Sequence, residues 1–205
     1  MELSSFTRTR ARRVLLAAVP VAIATAVLGG GVAQGAVPVS FAISNVPFKI
    51  SATTLDGTGF SQYAGVAYEK GGTSNPAPDL VHPVAIANIK SATLANLCQS
   101  IVMDTELGKV GLLINAGTAP GKPAEASDLQ IAMTDLKGTA TFSNIRIGVD
   151  ASTVNTAVKG DQGDFAMDSD KIVIDGLQQE SWSTSASTFK LTDLHLQVTD
   201  GTECF

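Results

Sequence analysis

The sequence predicts an all-β chain, and two observations carry that prediction. A six-residue alternating pattern recurs seven times between residues 41 and 194, and beyond the N-terminal segment no stretch returns its apolar residues at the helical period of 3.6. A third observation says where the strands bend. The alternating stretches end in Asn, Asp or Gly, the residues that most readily take up left-handed or turning backbone.

The pattern reads apolar, any, apolar, any, Asn or Asp, apolar. It occurs at Phe41–Val46, Val84–Ile89, Ala92–Leu97, Ile131–Leu136, Ala140–Ile145 and Phe189–Leu194, and at Ile172–Leu177 with Gly176 in the polar slot. Alternation with period two describes a half-buried strand. The apolar residues stand at positions one, three and six, so the phase changes at position five. Asn45, Asn88, Asn96, Asp135, Asn144, Gly176 and Asp193 are therefore expected corners. Copies starting near 41, 84, 131 and 172 give a loose spacing of about 40 to 47 residues, so the chain looks internally repetitive.

Two architectures satisfy this reading. Repeated strand-corner units predict an elongated β-solenoid-like or rolled sheet with a continuous apolar interior, which we favour. The alternative is an antiparallel β-sandwich, which short strands at regular spacing also predict. Glu69 to Pro83, Ala116 to Ala126 and Ser152 to Asp170 are polar or Gly- and Pro-rich and read as loops. They separate strands and not domains.

The N-terminus has a different grammar. Arg8, Arg10, Arg12 and Arg13 precede an apolar and small-residue run from Val14 to Leu28, followed by Gly29–Gly31 and Val32–Ala36. That order is the one found in secretory signal peptides. Residues 1–35 are thus read as a signal peptide and residues 36–205 as a single β-rich exported domain. The pair Arg12-Arg13 also permits a twin-arginine route. An uncleaved anchor is the competing reading, since the run is long enough to span a bilayer.

Removal of the segment takes four of the five arginines with it. Of the 14 Lys and Arg, 10 lie after Gly35, against 18 of the 19 acids, which leaves the mature domain near −8. Such a surface repels phosphate backbones and anionic lipid heads, so nucleic-acid binding is excluded as a leading function class. The only cysteines are Cys98 and Cys204. An even count in an oxidising compartment reads first as a disulfide, with two buried free thiols as the alternative.

Candidate chemistry is sparse. No Gly-x-Ser-x-Gly elbow occurs, and a serine mechanism would have to recruit His82 or His195 as its base. His82 precedes Pro83 at a loop edge. His195 alternates with Leu194 and Leu196 and so should face solvent. No His or Cys cluster has metal-ligand spacing, and Asp161, Asp164, Asp168, Asp170 and Asp175 do not match an EF-hand loop and read as solvated. We therefore expect neither a metal nor another cofactor. Phe60, Tyr63, Tyr68 and Trp182 could line an apolar groove for a lipid, although core packing is the commoner use of such residues.

Ala36-Val-Pro-Val-Ser-Phe-Ala-Ile-Ser44, Phe48–Ala52, Leu55–Phe60, Leu94–Ser100, Ala186–Leu191 and the terminal Glu203-Cys-Phe205 resemble a family of exported actinobacterial proteins of unknown function. The resemblance covers nearly the whole chain. It implies a small integral-membrane partner, because members commonly sit beside a gene for such a protein, and it brings the label cholesterol esterase from some members. It supplies no catalytic residues. The expected function is an exported cell-envelope or extracellular structural or binding module, with lipid as one ligand class. The alternative is a secreted lipid or sterol ester hydrolase.

Overall fold

The computed structural model describes residues 42–43, 46–69, 80–106 and 108–205. The N-terminal segment read from the sequence as a signal peptide and the expected corner at Asn45 lie outside the described residues. The strands are β1 (Ala42–Ile43), β2 (Phe48–Glu69), β3 (Val81–Ala95), β4 (Leu97–Thr105), β5 (Gly108–Ala116), β6 (Ala124–Ser143), β7 (Arg146–Asp150), β8 (Phe165–Ser185), β9 (Thr188–Lys190) and β10 (His195–Thr199). A 3₁₀ turn, Ala151–Thr153, follows β7.

The four longest strands close on themselves. β2 pairs with β3, β3 with β6, β6 with β8, and β8 returns to β2 from Phe48↔Ser181 to Tyr63↔Ala166. The result is a four-stranded antiparallel barrel, and it is the rolled sheet of the expectation. The repeats are its long strands and do not stack as solenoid coils. Solenoid coils pair in parallel, whereas the only parallel ladder among the described residues is the two-residue pairing of β1 with β2. The sheet then runs outward from β2 through β4 and β5 to β10, and from β8 to β7.

The corners explain how so few strands can close. Four strands about 4.8 Å apart enclose a narrow cylinder, so each must bend sharply. Asn96, Asn144, Asp193 and Gly176 all have positive φ, between 50° and 64°, as the pattern requires. At Gly176 the inward set changes parity. Ile172 and Ile174 are buried before Gly176, and Leu177, Gln179 and Ser181 after it. Nothing lies within 4 Å of where a Gly176 Cβ would stand, so glycine serves the backbone there and not the packing.

Of the other expected corners Asn88 is straight, Asp135 falls at a register shift in the β6–β8 ladder without left-handed backbone, and two unexpected positions bend. Asn88 and Asp135 do not have positive φ, whereas Gly59 (φ 65°) and Asp128 (φ 48°) do. Both fit the same pattern once Ala and Gly count as inward residues: Leu55-Asp-Gly-Thr-Gly59-Phe60 and Ala124-Glu-Ala-Ser-Asp128-Leu129. The registers place the bends in rows. Gly59 and Asp128 lie on either side of Lys90, and Gly59 and Asn144 on either side of Asp170. Asn96 and Gly176 likewise flank Thr53.

The apolar core falls into two clusters. The larger fills the barrel with Leu55, Phe60, Ile89, Leu94, Ile131 and Leu177 among others. The smaller lies outside the wall, where Tyr63, Ile86, Ala132 and Trp182 meet Ala151 and Val154. The expected loops are present at 117–123 and 151–164, with β8 beginning at Phe165, earlier than the Asp170 boundary read from composition.

Candidate functional site

A polar row crosses five adjacent strands. Gln130 on β6, Asn88 on β3, Ser61 on β2, Asp168 on β8 and Arg146 on β7 stand directly opposite one another in turn. Gln130 donates its amide to Asn88 Oδ1 at 3.0 Å, and Asn88 donates to Ser61 Oγ at 3.3 Å. Arg146 forks onto Asp168, with Nε at 2.8 Å from Oδ1 and Nη2 against Oδ2. This explains why Asn88 is no corner: both ends of its amide are engaged in a straight ladder.

The 151–164 loop is laid over that row. Thr156 shares a hydrogen bond with Ser61, and the Asn155 N–H donates to Asp168 Oδ2 at 2.7 Å. Asp150 accepts from the Ser152 N–H at 2.9 Å and from the Gly163 N–H at 2.8 Å. Arg146 holds the Asp168 carboxyl below its ordinary pKa, aided by the Asn155 N–H against the opposing effect of burial. The bonds from Ser152 and Gly163 lower that of Asp150. Asp168 is fully buried and Ser61 is too. A serine sealed under a loop, with its neighbouring carboxylate committed to arginine, anchors that loop. Its arrangement supplies no base.

The histidines lie elsewhere and apart from that serine. His82 Nε2 is 2.9 Å from Glu69 Oε1, and its ring stacks on Trp182 with centroids 3.9 Å apart. His195 begins the exposed strand β10, opposite Asn115. Among the described residues neither histidine is hydrogen-bonded to a serine, and no group of three or more His, Cys, Asp or Glu is placed to hold a metal. The aromatic set divides as well. Phe60 is in the barrel, stacked obliquely on Phe142, while Tyr63 and Trp182 belong to the outer cluster. The barrel interior is filled, with an apolar cavity of about 50 Å³ beside Phe60 and Phe142. Ligand pockets run to several hundred Å³.

The open chemistry is on the three-stranded wing made by β4, β5 and β10. Leu196 faces Ile114, Val198 faces Leu112, Leu112 faces Ile101, and Val110 faces Met103. These side chains share one face of the wing, because directly paired residues point the same way. No charged residue interrupts it. Val198 is 73% exposed, Leu196 53% and Met103 43%. Three strands by five to nine residues give this face on the order of 300 Å², at the scale of apolar patches that mark binding surfaces.

The opposite face is sealed by the C-terminal tail. Cys204 is joined to Cys98 with a Cα–Cα distance of 5.8 Å, and its N–H donates to Ser100 Oγ at 3.0 Å. Lys49 Nζ is bonded to Glu203 at 2.9 Å and lies over the Phe205 ring. Beneath this strap Ser100, Gly111 and Leu113 are buried. The cysteine pair expected from the sequence is thus present, and it explains why one face is covered. The bare face was missed. Its signal is the alternation in Val110-Gly-Leu-Leu-Ile114 and Leu194-His-Leu-Gln-Val198, whose apolar side has the composition of an ordinary core.

Residues 44–205 match a family of unknown function, DUF6230. Comparison with curated proteins and with solved structures found no match.

Proposed function

The chain belongs to DUF6230, a family of unknown function, and from its geometry we propose that it is an exported binding module of the cell envelope or its surroundings that takes lipid on the bare face of the β4–β5–β10 wing. The observation that carries this is the asymmetry of the wing. One face is strapped by Cys98–Cys204 and the tail, and the other presents Leu196, Val198, Met103 and Val110 uncovered. The face is uncharged and the mature domain is acidic, which favours apolar or zwitterionic lipid over anionic head groups. The filled barrel interior directs the ligand to the surface. Export is supported by the signal-like N-terminus and by the disulfide.

The test is flotation of the mature domain, residues 36–205, with phosphatidylcholine vesicles. Wild-type protein should float with the vesicles, and the double variant Met103→Lys, Val110→Lys should stay at the bottom with its disulfide intact. Absence of wild-type flotation, or flotation unaffected by the two lysines, would reject the reading. Lipid extraction from protein purified in detergent, followed by mass spectrometry, then names the class of lipid.

A further inference from the structure

The two ends of the strand path that runs from β10 to β7 are finished differently. β7, at one end, carries Arg146 and Asp150, and its pairing with β8 breaks register between Ile147 and Val149 at Gly148. Charges and bulges of this kind blunt an edge against pairing with another chain. β10, at the other end, reads His195-Leu-Gln-Val-Thr199 and has neither Lys, Arg, Asp, Glu nor Pro. It pairs only with β5 among the described residues, its register there is unbroken, and four of its five residues are exposed.

We infer that β10 is a self-pairing edge, joining two copies of this chain antiparallel about Gln197. In that register Leu196 faces the partner's Val198, His195 faces the partner's Thr199, and Gln197 meets its own counterpart on the two-fold axis. The contact is isologous and closes at two copies. The apolar faces of both wings then form one six-stranded surface, so the uncharged stripe of Leu196 and Val198 continues across the axis. The nearest acid, Asp200, falls opposite Leu194 and not opposite another carboxylate. Five paired residues bury far less than the roughly 800 Å² per partner of a stable interface. The dimer is accordingly weak and concentration-dependent, and salt strengthens it by screening two acidic copies. This inference uses the edge of the wing, whereas the lipid reading uses its face.

Antiparallel partners directly opposite one another stand about 4.5 or 5.5 Å apart at Cα, within the span of a disulfide. Gln197→Cys should therefore cross-link to a covalent dimer under mild oxidation. Ile147→Cys, also exposed on the strand at the other end of the path, should cross-link at least tenfold more slowly. Sedimentation velocity of the wild type should show a dimer fraction that rises with protein concentration and with salt. Gln197→Pro should remove that dimer while leaving the Cys98–Cys204 bridge and the far-ultraviolet spectrum unchanged. Equal cross-linking at positions 147 and 197, open-ended oligomers in place of dimers, or a wild type that stays monomeric at millimolar concentration would overturn the inference. The face variant Met103→Lys, Val110→Lys should still cross-link through Gln197→Cys, which separates failure of the pairing from failure of lipid binding.

Discussion

The barrel and the wing are built from the same alternating sequence, yet the barrel has a filled interior and the wing leaves an apolar face bare. The barrel's lumen is filled by its own side chains, and part of its outer wall is sheltered by the 151–164 loop, tied down through Thr156 and Asn155. The wing has a cover on one side only, held by Cys204. The difference teaches that alternation specifies a strand and its two faces. Which face is buried depends on segments far away in sequence that happen to lie across it.

Stability should divide along the same line. Leu55→Ala empties a fully buried position inside the barrel and should cost about 2–5 kcal/mol, read as a lowered midpoint in urea with an unchanged slope. Cys98→Ser with Cys204→Ser opens a bridge between residues 106 apart. The loss should be about 2–4 kcal/mol, and hydrogen exchange should rise first at Ser100 and Leu113 beneath the strap, with the barrel amides responding later. If barrel and wing amides accelerate together, the wing is no separate unit.

A smaller effect tests the corners. Gly176→Val places a β-branched residue at φ 64° where there is free space around the new Cβ. It should cost about 1–2 kcal/mol through backbone strain alone, and Gly176→Asn should recover most of it. Equal losses for both would mean that the bend is set by packing.

The smallest expected effect is local and depends on pH. The Asp168 and Asp150 carboxyls titrate below their ordinary values in the folded chain, so the stability they contribute is complete above about pH 4. It is lost as pH falls through the depressed folded values. The amide resonances of Asn155 and Gly163, whose N–H groups donate to these carboxylates, should move in that acid range, while those of Leu112 and Val198 stay still. Constant Asn155 and Gly163 shifts down to about pH 2 would contradict the assignment.

Much of the fold was legible because each corner is a local event. Left-handed backbone favours Asn, Asp and Gly over other residues, and the parity change shows directly in the spacing of apolar positions. Asn96, Asn144, Gly176 and Asp193 followed from that. Gly59 and Asp128 escaped because their inward neighbours include Gly57, Ala124 and Ala126, too small to register as a buried face. Asn88 misled because a buried amide in a ladder and an amide at a bend look alike in sequence. A rolled sheet was legible, but which strands close it was not. The pairing of β2 with β8 joins Ala52 to Leu177, and no local preference encodes a contact across so many residues. The bare face of the wing was hidden for the opposite reason: its residues are those of an ordinary core.

That same β2–β8 ladder governs the order in which the molecule can form. It unites the first and last strands of the barrel, so a growing chain that ends anywhere before β8 has no ring, only an open sheet with two long free edges. Such non-local pairing is slow to find, and unpaired edges invite association with other chains while they wait. The cap on the wing comes later still, since Cys204 lies beyond both β8 and β10. The interval in which the growing chain has open edges therefore runs from the appearance of β2 to the arrival of β8.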